Sequence, residues 1–217
     1  MSACYLLIPA APLLLGLLWA ERGQRPGRVL ACKAPLSGLF VLAAILSPHP
    51  AAGYFALVLT GLVLGLIGDV CLALEGEAAF KAGLASFLLG HVAYVIAFAG
   101  LTPPSGWLNP GVLAICAVSG LVFLWLRPGL GGMLLPVLAY VVVITVMLVA
   151  AWAAVFNHAL PRTGAWVVFL GAAAFYLSDL FVARDRFKSP GWGNRLIGLP
   201  LYYGGQFAIA LSVGLVA

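Results

Sequence analysis

The 217 residues are 64% hydrophobic and only 8% charged, with a formal net charge of +5. Soluble globular chains carry about 25% charged residues, so this composition cannot build a water-facing surface, and a soluble catalytic domain is excluded. The positive charge does not point to nucleic acid: no Lys/Arg-rich amphipathic face exists, and the basic residues fall between apolar runs, where anionic lipid headgroups account for them.

A transmembrane helix needs about 20 apolar residues to cross a hydrocarbon core of ~30 Å at 1.5 Å per residue. Apolar runs broken by charge, Pro and Gly predict spans at 3–20, 29–47, 52–74, 79–100, 111–126, 132–156, 163–183 and 195–215. The chain is then used up. The predicted fold is all-α, a polytopic bundle of about eight transmembrane helices forming a single transmembrane domain over 1–217. The first span has no basic residue before it, and Glu21, Arg22, Arg25 and Arg28 follow it. That is the reverse of a cleaved signal peptide, so a retained helix is expected.

The loops after spans 1, 3, 5 and 7, with the adjoining helix ends, hold every Lys and Arg except Arg162. The positive-inside rule puts that side in the cytoplasm and both termini outside. Span 3 ends Gly68-Asp69-Val70-Cys71-Leu72-Ala73, and span 7 ends Ser178-Asp179-Leu180-Phe181-Val182-Ala183. Both read small-Asp-x-x-x-Ala, which suggests a 4+4 internal repeat about an axis along the membrane normal. Cys4, Cys32, Cys71 and Cys116 are scattered through apolar segments without a C-x-x-C pair and read as small buried hydrophobes.

An ionisable side chain at the centre of a span costs about 2.5–3.5 kcal/mol on insertion scales, so each one needs a reason. Four stand out: Lys33, Asp69, His91 and Asp179. Lys33, Asp69 and Asp179 lie on three different spans, each roughly 6 Å inside the cytoplasmic edge by helical rise. One reading is a Lys–Asp pair that locks helices together, with the second Asp reaching water. The other starts from charge: one lysine cannot neutralise two carboxylates. Two carboxyl groups of unequal proton affinity are the usual equipment of general acid–base hydrolysis. His91 lies about 16 Å into span 4 by the same rise, with Phe87 and Tyr94 on its face. It suits either a hydrogen-bonded core residue or a catalyst. Span 8 offers Tyr202, Tyr203 and Gln206, with Tyr202 and Gln206 on one face. A polar floor of His91 and Gln206 beneath a carboxylate rim is geometrically open, and a depth gap of ~10 Å means that His91 need not touch either Asp. Glu75, Glu77 and Lys81 read as a solvated turn, and Asn157-His158 as a wet helix end. No H-E-x-x-H, G-x-S-x-G or P-loop occurs.

Gly68-Asp69-x-x-Leu72, Phe87-x-x-Gly90-His91-x-x-Tyr94, Ser178-Asp179-x-x-x-Ala183-x-x-Arg186-Phe187 and Tyr202-Tyr203-x-x-Gln206 together resemble the YhhN/TMEM86 family. The resemblance covers nearly the whole chain in order; Lys33-Ala34-Pro35-Leu36 matches more loosely. It implies a lysoplasmalogenase that hydrolyses the vinyl-ether bond of a lysoplasmalogen to a fatty aldehyde and glycerophospho-choline or -ethanolamine. Asp69 and Asp179 would be catalytic, with Lys33, His91, Tyr94, Tyr202, Tyr203 and Gln206 binding or supporting the substrate. It implies no metal and no organic cofactor. The partners would be the lysophospholipid and membrane lipids, in a bacterial inner membrane with the site toward the cytoplasm. The rival classes are a proton-coupled transporter, for which intramembrane carboxylates and repeated halves also serve, and a non-catalytic lipid-binding membrane protein.

Overall fold

In the computed structural model, which describes residues 3–216, eight α-helices follow one another with short connections. They are α1 (Leu7–Arg22, entered through a 3-10 turn at Ala3–Leu6), α2 (Pro26–Leu46), α3 (Ala52–Ala73) and α4 (Glu77–Ala99). The second half holds α5 (Val112–Leu126), α6 (Leu134–Val155), α7 (Arg162–Phe187) and α8 (Trp192–Ser212). Seven helical segments are long and apolar enough to cross a membrane. The eighth, α8, has a similar length of 21 residues but is more polar, because it turns Asn194, Tyr202, Tyr203 and Gln206 into the bundle.

Two differences from the predicted boundaries matter. Helix α7 runs on to Phe187, so Asp179 lies about 12 Å from its end rather than 6 Å. The charged run Arg184-Asp185-Arg186 is therefore a last helical turn and not a loop. Between α5 and α6, Pro128 and the positive φ of Gly131 (49°) break the path into two 3-10 turns.

The outer surface is apolar, with Ile8, Leu15, Leu113, Leu121 and Leu135 among its exposed side chains. The interior holds the polar groups, as a lipid solvent requires. Water expulsion does not drive helices together inside a bilayer, so close backbone approach must do so. A methyl group at Gly90 of α4 would stand 3.2 Å from the carbonyl oxygen of Gly61 on α3. One at Gly61 or Gly68 would run into the rings of Tyr94 and Phe87. In the second half, a methyl at Gly205 of α8 would come 2.8 Å from the Gly171 carbonyl of α7. α3–α4 and α7–α8 are the most extensively packed pairs, and each contains one Asp-bearing helix. The cysteines are unpaired, but Cys4 and Cys116 are exposed on the bundle surface instead of buried. Glu77 and Lys81 form an exposed ion pair of 2.7 Å one turn apart at the start of α4. Asn157, beyond α6, donates to the Leu101 carbonyl at 2.7 Å and so ties two connections together.

Candidate functional site

A cavity of about 1050 Å³ opens at the end of the bundle where the α1–α2, α3–α4 and α7–α8 connections lie. This is the end that carries the basic residues. Its mouth is lined by Arg25, Glu75, Arg186 and Arg195, and its depth by Lys33, Asp69, Phe87, Tyr140, Asp179 and Tyr202.

Asp69 is buried, and among the described residues each polar partner of its carboxylate is a donor. The Lys33 ammonium stands 3.2 Å from Oδ1. The hydroxyls of Ser37 and Tyr202 each donate to Oδ2 at 2.6 Å. Lys33 and Ser37 are one turn apart on α2, so one helix face delivers both. Behind them runs a relay of polar side chains. Tyr202 accepts from the Gln206 amide at 3.2 Å, and Tyr94 donates to the Gln206 carbonyl oxygen at 2.7 Å. The Tyr203 hydroxyl lies 3.3 Å from that of Ser37. Gly65 makes room for the relay: a methyl there would meet Gln206 Nε2 at 2.6 Å.

Asp179 has a different setting. Tyr140 of α6 donates to its Oδ2 at 2.8 Å, and His91 Nε2 of α4 faces the same oxygen at 3.6 Å. His91 Nδ1 donates to the Phe87 carbonyl at 2.7 Å, while Nε2, although buried, has no hydrogen-bond partner among the described residues. The rings of Phe175 (4.5 Å between centroids) and Tyr140 (5.2 Å) close around the imidazole. The Asp179 side chain is 18% exposed against 1% for Asp69, so it is the carboxyl more open to the cavity. Phe175 and Tyr202 meet edge to face at 5.2 Å, which connects the two carboxyl settings through aromatic contacts.

The packing decides three points that the sequence leaves open, and of the two charge readings it has the Lys–Asp pair. Lys33 does not bridge the two carboxylates: it pairs with Asp69, and Asp179 takes His91 and Tyr140 instead. His91 does face an Asp. The Cα–Cβ bond tilts toward the N-terminus of its helix, and α4 and α7 run in opposite directions. His91 therefore leans toward the mouth and Asp179 away from it, and a backbone depth difference of about 9 Å closes. Nor do His91 and Gln206 share a floor, because Gln206 is bound to Tyr94 and Tyr202. Two further side chains of the site, Ser37 and Tyr140, are uncharged and do not stand out along the chain. Their signals are a serine four residues after the intramembrane lysine and a lone tyrosine in α6, whose other hydroxyl residue, Thr145, bonds back to its own helix.

At the mouth, Arg195 pairs with Glu21 at 2.5 Å and with Asp185 at 3.6 Å, and Arg184 donates to Asn194 at 2.6 Å. Arg25 and Arg186 lie instead over aromatic rings, Trp19 at 4.9 Å and Phe80 at 4.3 Å. Neither is in an ion pair among the described residues, so both guanidinium groups are free for an anion. Among the described residues no group of three His, Cys, Asp or Glu side chains is placed to hold a metal ion.

The profile of the YhhN family matches residues 29–213. The chain is 35% identical to lysoplasmalogenase TMEM86B of Homo sapiens over 168 residues, 75% of this chain and 66% of that protein. It is 33% identical to lysoplasmalogenase TMEM86B of Sus scrofa over 205 residues, 91% and 80% of the two. A lysoplasmalogenase of Mycobacterium tuberculosis is 30% identical over 179 residues, 80% of this chain and 64% of that one. The chain thus spans about two thirds of the human and mycobacterial relatives. No solved structure matches it.

Proposed function

The chain belongs to the YhhN family, and from that premise we propose that it is a lysoplasmalogenase, hydrolysing the vinyl-ether bond of lysoplasmalogens to a fatty aldehyde and a glycerophosphoalcohol. The observation that carries the reading is the pair of carboxyl groups, in unlike settings, on one cavity with an apolar wall and a basic mouth. A single-chain lipid fits that distribution. Its tail lies along Val122, Val141, Ile144 and Leu180, and its phosphate meets Arg25 and Arg186. Vinyl-ether hydrolysis needs a proton delivered to the alkene carbon, which leaves an oxocarbenium ion for water to attack. Paired carboxyl groups act on glycosides by the same division of labour. The hemiacetal then collapses to the aldehyde. Lys33, buried against Asp69, serves the carboxylate and not the phosphate.

The direct test is aldehyde release from lysoplasmalogen by purified protein in detergent. A lysolipid with a saturated ether has nearly the same shape and no alkene to protonate, so it should inhibit competitively and stay intact. The ester analogue should be cleaved at least ~100-fold more slowly, because its hydrolysis needs an activated nucleophile and an oxyanion site. Efficient ester cleavage would make this a general lysophospholipase. Proton-driven uptake into proteoliposomes without cleavage of any lipid would make it a transporter.

The same reading orients the protein. In a bacterial inner membrane the basic mouth would face the cytoplasm and both termini the exterior. Single cysteines placed beside Arg25 and Lys188, in a background lacking the native ones, should react only from the cytoplasmic side. A tag on the C-terminus should be reached from outside. Exterior labelling at either cysteine would invert the topology.

A further inference from the structure

We propose that Asp179 is the proton donor of the reaction and Asp69 its proton acceptor, with His91 and Tyr140 positioning the donor. The roles rest on the vinyl-ether hydrolysis proposed above; the protonation they require rests only on the contacts of the two side chains.

A census of donors distinguishes the two groups. Asp69 receives the Lys33 ammonium on Oδ1 and two hydroxyl hydrogens on Oδ2. An ammonium has hydrogens and no lone pair to offer. Tyr202 already accepts the Gln206 amide on its oxygen, which turns its own hydrogen toward Asp69. A proton added to Asp69 in the resting site would point at a donor, so this carboxyl rests ionised and is the one available to take a proton when water attacks.

The His91 tautomer decides the other side. The Phe87 carbonyl can only accept, so the 2.7 Å contact requires the imidazole hydrogen to be on Nδ1. The neutral ring then presents a bare lone pair at Nε2, toward Asp179 Oδ2 at 3.6 Å. Two lone pairs facing each other repel, and the buried Nε2 has no other partner among the described residues. One proton between them removes both defects. A separated imidazolium and carboxylate would need further donors to offset desolvation; among the described residues Tyr140 donates to Oδ2, and the neighbouring Ser178 hydroxyl is already given to the Phe175 carbonyl at 2.8 Å. No Lys or Arg among the described residues comes within 4 Å of Asp179. The proton therefore resides on Asp179, the carboxyl that is the more exposed to the cavity. The 3.6 Å separation is slightly longer than a hydrogen bond, as is common before substrate tightens a site.

The proton cycle closes with these roles. Asp179 gives its proton to the alkene carbon and becomes a carboxylate, while the ether carbon becomes oxocarbenium. Water bonds to that carbon as Asp69 takes one of its protons. In the collapse, Asp69 returns this proton to the departing glycerol oxygen as the C–O bond breaks, and Asp179 takes the hemiacetal hydroxyl proton as the C=O forms. Both carboxyl groups end as they began, and the sum is substrate plus water to aldehyde plus alcohol.

Infrared spectroscopy of the purified protein in H2O and D2O tests the assignment without turnover. The resting protein should show one exchangeable, buried protonated-carboxyl C=O band. It should persist in Asp69→Asn, vanish in Asp179→Asn, and shift in frequency in His91→Gln. If Asp69→Asn fails to fold because Lys33 is left unpaired, the double variant Lys33→Met/Asp69→Asn removes that charge and should keep the band. In turnover, His91→Gln should lower kcat about 10–100-fold with KM within about twofold, since it holds the acid and not the lipid. A band lost with Asp69 and kept without Asp179 would overturn the proposal, as would no frequency change in His91→Gln. An Asp179 band in a protein that cleaves no vinyl ether would leave the protonation standing and remove the reaction.

Discussion

Asp69→Asn and Asp179→Asn should each lower turnover of lysoplasmalogen by at least ~100-fold, the usual contribution of a general acid or base. Asn keeps the shape of Asp and can still accept from Ser37 and Tyr202, or from Tyr140, through its carbonyl oxygen. What it loses is the exchangeable carboxyl proton. The expectation is thus a fall in kcat at nearly unchanged KM, because the tail wall and the two free guanidinium groups at the mouth are untouched. Steady-state aldehyde release, with folding checked by monodispersity and thermal unfolding, measures it. Near-normal turnover in either folded variant would make that carboxyl structural and end the two-carboxylate mechanism.

The second large effect is on stability. Lys33→Met keeps the length of the side chain and removes its ammonium, which leaves Asp69 at 1% exposure with only two hydroxyl donors. Breaking a buried pair from one side costs about 3–5 kcal/mol, because the remaining charge is stranded. Removing both charges, in Lys33→Met/Asp69→Asn, should recover most of that loss, since a buried ion pair offsets little more than its own desolvation. Thermal unfolding in detergent should therefore rank the parent and the double variant together and the single Lys33→Met well below them. If the single variant unfolds with the parent, Lys33 and Asp69 do not depend on one another.

Much of this architecture is legible along the chain because its solvent is lipid. A bilayer demands long apolar helices with their backbone satisfied internally, so eight apolar runs read directly as α1 to α8. The cost of an ionisable group in that solvent likewise singles out Lys33, Asp69, His91 and Asp179, all four of which line the cavity or contact a residue that does. Residues one turn apart, such as Tyr202 and Gln206, are also readable, since helical period puts them on one face. Partnership between helices is not. Depth counted along separate helices puts three charges at one level and leaves open whether they meet, whereas packing divides them into Lys33–Asp69 and His91–Asp179. That division depends on which helices touch, on how far α7 extends before it ends, and on the opposite tilt of side chains on antiparallel helices. Ser37 and Tyr140 carry no charge, so no insertion penalty marks them, and only the packed bundle brings their hydroxyls to the two carboxyl groups.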